Sequence, residues 1–144
     1  MTRPLEGIRV LDLTQVLAGP FCCRIMGDMG ADVIKVEQPG TGDPSRNFPP
    51  KYKDLESYYF LGLNGNKRSI TLNFREDSAK ETFYDLVKTA DVMVEKYRPS
   101  VHPRLGIDYD TIHKINPKMV YCSISGFGHE GAPCLLYTSP SPRD

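Results

Sequence analysis

Along this chain the hydrophobic and polar positions fall into short blocks whose period switches between two and about 3.6 residues. Residues 8–13 alternate as a strand, around Val10, Leu11 and Leu13. After a tight turn, residues 21–29 read as a helix. Pro20 takes its first position, where the missing N–H leaves nothing unpaired, and Gly30 closes it. Residues 31–37 form the next strand, so the chain opens on a βαβ crossover whose helix N-terminus points at any ligand above the sheet. Residues 38–50 hold too many glycines and prolines for helix or strand, and loops of that length in a compact domain are usually functional. Residues 57–63 read as a short helix ending at Gly65, and residues 68–74 as a strand. Asp77 or Ser78 is placed to cap a helix with Phe83, Leu86 and Val87 on its apolar face. A buried strand at 90–95, a short helix at 109–115 begun near Asp108 and a strand at 119–124 complete the pattern. Five strands alternating with helices predict an α/β fold, a parallel sheet covered on both faces.

The first turn narrows the chemistry. Residues 14–20 (TQVLAGP) contain one glycine, whereas a dinucleotide site needs G-x-G-x-x-G for backbone to approach the pyrophosphate. Glu37 stands where a ribose-binding acid would, but without those glycines it reads as a solvated strand end. With 144 residues, 18 basic and 18 acidic side chains and 40% hydrophobic residues, the chain is sized for one domain, and its charge calls for neither nucleic acid nor an anionic membrane. Apolar runs are too short to span a bilayer and the N-terminus is unlike a signal peptide, so a cytoplasmic location is expected. Cys22, Cys23, Cys122 and Cys134 lack metal or redox spacing and read as small buried or bystander residues. Lys67 and Arg68 read as surface or strand-entry residues, and His102, His113 and His129 as ordinary surface groups. Gln15 and Asn73 suggest no chemistry of their own. Asp12, Asp32, Asp43, Asp91 and Asp108 fit strand, cap or loop roles.

The end of the chain is of another kind. Residues 134–144 (CLLYTSPSPRD) are the translation, in one frame, of the mosaic-end adapter used in transposon-based sequencing libraries. They are expected not to be native sequence and are set aside from the fold.

Five ordered blocks carry a resemblance: residues 12–20 (DLTQVLAGP), 30–37 (GADVIKVE), 64–72 (NGNKRSITL), 90–99 (ADVMVEKYRP) and 123–128 (SISGFG). They resemble the amino-terminal part of family III CoA-transferases, the formyl-CoA transferase and carnitine CoA-transferase group that also holds α-methylacyl-CoA racemase. The resemblance spans residues 1–133. It implies a Rossmann-like large domain, present here only in its amino-terminal part, a small domain beyond it, and an interlocked homodimer. It implies coenzyme A, entering as an acyl-CoA substrate, a small carboxylic acid as the second substrate, and no metal. Position by position, the CoA-holding residues it implies are Val16, Leu17 and Ala18 in the first turn, Gln38 after the second strand, and Leu72, Asn73, Phe74 and Arg75 after the third. Lys96, Tyr97, Arg98 and Arg104 complete the set. Guanidinium forks suit a diphosphate, and Arg98 and Arg104 lie in a segment stiffened by Pro99 and Pro103. Leu17 stands where formyl-CoA transferases carry glutamine and Gln38 where some members carry a basic residue, differences that bear on substrate.

The resemblance further implies an aspartate nucleophile that becomes an aspartyl-CoA thioester. That aspartate falls downstream of residues 126–128, so this chain holds part of a CoA site and no catalytic residue. By itself it is expected neither to fold as a stable monomer nor to transfer CoA. A racemase fragment is the alternative within the fold, and a non-catalytic CoA- or nucleotide-binding module the alternative outside catalysis.

Source DNA amplified with gene-specific primers and read across codon 133 is expected to continue in frame into a longer protein. That continuation should lack the codons for 134–144 and supply the aspartate. A genomic stop directly after Asp144 would overturn both expectations.

Overall fold

The structure, a computed structural model, describes residues 2–98, 100–126 and 128. Pro99, Phe127, His129 and the tail 134–144 with Cys134, on all of which parts of the sequence reading rest, lie outside the described residues. The chain opens with β1 (Arg9–Leu13), α1 (Ala18–Asp28) and β2 (Asp32–Glu37). A 3-10 turn at Pro44–Asn47, a hairpin of β3 (Lys51–Tyr52) and β4 (Glu56–Ser57), and α2 (Tyr58–Leu63) then lead to β5 (Lys67–Thr71). The remaining elements are α3 (Asp77–Thr89), β6 (Val92–Glu95), α4 (His102–Leu105), α5 (Tyr109–Ile115) and β7 (Val120–Ser123). The five long strands form one parallel sheet in the order β5-β2-β1-β6-β7. From β1 the chain moves outward through β2 to β5, then returns to the other side of β1 for β6 and β7. The strand order therefore reverses between β1 and β6, and a crevice opens there at the carboxyl ends.

Two apolar layers follow from the period-two alternation of buried strands. Leu11, Leu13, Ile34, Val36 and Met93 point to the face covered by Phe83 and Val87 of α3 and Ile112 of α5. Val10, Val33 and Val94 point to the opposite face, against Cys23 of α1 and Ala31. The predicted class and all five strands are present, with shifted boundaries. Helix α1 begins at Ala18 because Pro20 is tolerated anywhere in a first turn, whose N–H groups have no intrahelical acceptor. Strand β5 stops at Thr71, since the Asn73 side chain accepts from the Arg75 amide and turns the chain. Neither Asp77 nor Ser78 caps α3; Glu76 holds that position without a side-chain bond. Asp108 does cap α5, through the Thr111 amide at 3.0 Å.

Charge is buried on the α1 face near the carboxyl ends of β1 and β2. Lys67 is a correction to the surface reading: its side chain is 2% exposed and crosses β2 to meet Asp12 at 2.8 Å. Its ammonium also donates to the Pro20 carbonyl at 2.8 Å and to Asn64 at 2.9 Å, using all three protons. Glu37 is a second correction. It is 5% exposed and accepts from Nη2 and Nε of Arg46, at 2.7 and 2.8 Å, while the Arg46 guanidinium lies 3.8 Å from the centre of the Phe60 ring. Arg68 is exposed at the strand edge as expected, paired to Asp32 at 2.7 Å.

In the full-length protein, Lys67→Met is expected to destabilise by about 3–5 kcal/mol, because it strands a buried carboxylate. Pairing it with Asp12→Asn, which keeps an acceptor for Thr14 but removes the charge, should recover most of that loss. Urea unfolding midpoints measure both; equal losses in the single and double variants would refute the account.

Candidate functional site

The residues of interest leave the sheet at four adjacent strand ends. The β1 end is shaped by Asp12, whose carboxylate accepts from the Thr14 amide at 3.0 Å and from the Thr14 hydroxyl. Thr14 fills the space beside Gly19, where any Cβ would collide with it, so α1 approaches the strand end closely. Between them Val16 holds φ at +68°, a left-handed conformation that is costly for a β-branched residue. The Asp43 carboxylate accepts from the Val16 amide at 3.2 Å. Asp43 is itself held by the ammonium of Lys35 at 3.0 Å and by the amide and hydroxyl of Ser45. Lys35 completes the tie by donating to the Thr14 carbonyl at 2.8 Å.

A cavity of about 190 Å³ lies above β2, β5 and β6, lined by Gln15, Gln38, Leu72, Asn73, Phe74, Arg75, Tyr97 and Leu105, with Val36 and Glu37 at its base. A smaller one of about 80 Å³ sits where the strand order reverses, between Leu13, Gln15 and Val16 on one side and Lys96 and Tyr97 on the other. Gln15 and Tyr97 border both.

Of the residues singled out from sequence, Val16, Gln38, Leu72, Asn73, Phe74, Arg75, Lys96 and Tyr97 are brought together around these two cavities. Leu17 and Ala18 are exposed on the first turn of α1, and Arg98 and Arg104 are exposed beyond β6, lining neither cavity. Arg104 lies on α4 beside Leu105, which does line the larger one. Gln15 was missed, although a polar residue in the turn two positions past a buried strand is the signal that could have found it. His102 is a further correction: it is 8% exposed and sits 2.9 Å from the Glu95 carboxylate. Its burial comes from α4, a one-turn helix with no periodicity to read. His113 is exposed and stacks on Tyr109.

The electrostatics sort the charges. Burial opposes ionisation of Glu37, and the bonds from Arg46, Ser69 and the Asp43 amide with the Arg46 charge outweigh it, holding the carboxyl at about 2. Asp43 is likewise lowered: burial opposes ionisation, and the Ser45 bonds and Lys35 prevail. Burial above all, then the Asp12 charge, pushes the Cys23 thiol up, which leaves it protonated and unreactive. Among the described residues Arg75, Lys96 and Arg104 pair with no carboxylate. No group of three metal-ligating side chains converges among them, and no described helix is long and apolar enough to cross a membrane. The acids are thus neutralised below, and two of these cations, Arg75 and Lys96, line the cavities above.

A doubly wound parallel sheet with its crevice at the strand-order reversal defines a protein of the Rossmann-like α/β class, one whose first turn lacks the glycines of a dinucleotide site. Within that class the chain belongs to CoA-transferase family III, whose family model matches residues 5–135. It is 47% identical over 129 residues to mouse succinyl-CoA:glutarate CoA-transferase, and 48% identical over 128 residues to formyl-CoA:oxalate CoA-transferase of Rhodopseudomonas palustris strain BisA53. These alignments take in 90% and 89% of this chain but 30% of each relative, so the chain spans about a third of their length or less. The crystal structure of a CAIB/BAIF family protein from Brucella suis matches with a TM-score of 0.87 at 40% identity, over 93% of this chain and 36% of that one.

The Glu37 arrangement predicts a pH dependence. Its carboxyl sits at about 2 against an ordinary 4.5, so its stabilisation is complete above about pH 4.5 and disappears as the pH falls through about 2. Glu37→Gln should therefore show a flatter stability curve than wild type across that window, the gap being on the order of 3 kcal/mol at neutral pH. Parallel acid unfolding of the two proteins would show that Glu37 carries none of it.

Proposed function

We propose that this chain is the amino-terminal part of a CoA-transferase that moves CoA between small carboxylic acids, and that the cleft at the carboxyl ends of β1, β2, β5 and β6 receives the coenzyme. The observation that carries this reading is the meeting of four strand-end segments around adjoining cavities, with Arg75 and Lys96 in their walls and paired with no carboxylate among the described residues, and Arg104 exposed on α4 next to the lining residue Leu105. A ligand bearing a diphosphate and a further phosphate suits such a border, because each anionic group gains charge-assisted hydrogen bonds there. Gln38, Leu72, Asn73 and Phe74 would contact the coenzyme from the β2 and β5 ends, Val16, Leu17 and Ala18 from the first turn, and Tyr97 and Arg98 from the β6 end. The printed activities of the relatives, succinyl-CoA:glutarate and formyl-CoA:oxalate transfer, support acyl-CoA and a carboxylic acid as the substrate pair. Leu17 offers no side-chain amide to a thioester carbonyl, so the proposal stops at small carboxylic acids and names none.

The chemistry would be nucleophilic. A carboxylate attacks the acyl-CoA carbonyl and expels CoA thiolate, leaving a mixed anhydride; the thiolate then attacks the enzyme's side of that anhydride and releases the donor acid. The acceptor carboxylate next attacks the resulting enzyme thioester, and returning thiolate gives the new acyl-CoA and the free carboxylate. Five aspartates of this chain already have structural roles. Asp12 and Asp43 are buried in ion pairs, Asp32 pairs with Arg9 and Arg68, Asp91 accepts from the Arg9 amide and Asp108 caps α5. Following the family resemblance, the nucleophile would come from the part of the enzyme beyond this chain, and residues 134–144 would not be native. A cytoplasmic, interlocked homodimer completes the proposal.

In the full-length enzyme, Arg75→Ala and Arg104→Ala should each raise KM for the acyl-CoA donor roughly ten-fold or more while changing kcat little. Contacts to the nucleotide end act in ground and transition states alike, and one charged hydrogen bond is worth about 1.5–3 kcal/mol. Steady-state kinetics and direct titration with CoA test this; unchanged affinity in both variants would remove the coenzyme from this cleft.

A further inference from the structure

We propose that His102 is a positioning residue for the coenzyme site: by its hydrogen bond to the buried Glu95 it fixes α4, and with it Arg104 and Leu105, beside the larger cavity. The inference rests on the CoA reading above. Glu95 ends β6, is fully buried and gathers donors from three segments. Its oxygens accept from the Tyr97 amide at 2.7 Å, from His102 at 2.9 Å and from the Ser123 hydroxyl of β7. Nε2 of His102 also lies 3.1 Å from the Tyr97 carbonyl oxygen. Both neighbours of that nitrogen are acceptors, so it carries the hydrogen and shares it between them.

The geometry links this knot to the cleft. Tyr97 borders both cavities, so the residue whose amide and carbonyl are tied by Glu95 and His102 is itself a wall of the site. Helix α4 is four residues long and lacks a side-chain cap, too short to hold its own shape. Its two ends are held from outside: His102 ties the first residue, and the Tyr84 hydroxyl donates to the Gly106 carbonyl just past the last, at 3.1 Å. Residues three apart on a helix share a face. Turning His102 inward to Glu95 therefore turns Leu105 toward the cavity, while Arg104, one residue before it, is exposed. The side chain of His102 is 10% exposed, so water competes little for the bond.

A residue acting this way should set affinity and leave the chemical step alone. In the full-length enzyme, His102→Phe, which fills the space without donating, is expected to raise KM for the acyl-CoA donor about five- to ten-fold with kcat within about two-fold. His102→Gln, whose amide can present a donor near the same point, should recover most of that change. In the double variant with Arg104→Ala the two effects should be less than multiplicative, because His102 acts through the helix that carries Arg104. A purely structural role predicts a lower active fraction with unchanged KM, or fully multiplicative effects, and either result overturns the proposal. If the phenylalanine is not accommodated, His102→Asn, too short to reach Glu95, provides the same comparison. Arg75→Ala, at the β5 end of the cavity, separates the two levels. Raised KM there with unchanged KM in the His102 variants removes His102 alone, whereas unchanged KM there as well takes the coenzyme reading with it.

Discussion

A carboxylate or ammonium taken out of water must find a counter-charge and fill its hydrogen-bonding capacity, and that requirement organises the ligand end of this fold. Asp12, Lys35 and Glu37 all point to the α1 face of the sheet at a level where the apolar layer gives out. Each calls in a partner from elsewhere: Lys67 reaches across β2 for Asp12, and Asp43 and Arg46 fold back from the segment after β2 for Lys35 and Glu37. The long connection between β2 and β5 is thereby pinned at several points, although it is rich in glycine and proline and carries little regular structure. The α3 and α5 face needs no such arrangement, being apolar until Glu95 at the end of β6.

Much of the architecture was legible in the residues because buried parallel strands leave short apolar clusters, such as Val33, Ile34 and Val36 or Val92, Met93 and Val94, between turn signals. The βαβ opening, the five strands and the Asp108 cap are local features with local signals. The hairpin, the 3-10 turn and α4 are too short to leave a period, and they went unread. The same limit explains the errors over charge. Lys67 and Asp12 are 55 residues apart, Glu37 and Ser69 32 apart, and Glu95 and Ser123 28 apart. Burial of an ion depends on a partner that a window along the chain does not contain. His102 lies closer to Glu95, but only the turn of α4 brings them together.

The candidate site divides in a similar way. Val16, Gln38, Leu72 to Arg75, Lys96 and Tyr97 converge because each follows the end of a strand, and parallel strands deliver their carboxyl ends to one edge. What no strand pattern supplies is the role of each residue, and the roles proposed for them come from the resemblance to family III CoA-transferases. Membership of the family now stands on a model match over most of the chain and on relatives close to half identical. Gln15, bordering both cavities, belonged to neither source. The relatives extend well beyond the aligned third.

The left-handed turn at Val16 has a further bearing on how a ligand would be received. Its amide is committed to Asp43, Asp43 to Lys35, and Lys35 to the carbonyl of Thr14, so the turn closes on itself through a buried circuit. A loop wired in this manner has little conformational freedom left to surrender when a ligand arrives, and its ordering cost is met when the chain folds. Recognition at the β1 end would then follow a fixed template, with adaptation left to exposed side chains such as Gln38 in the cavity wall. Discrimination among substrates could drift by substitution at such side chains while the frame beneath them stays unchanged.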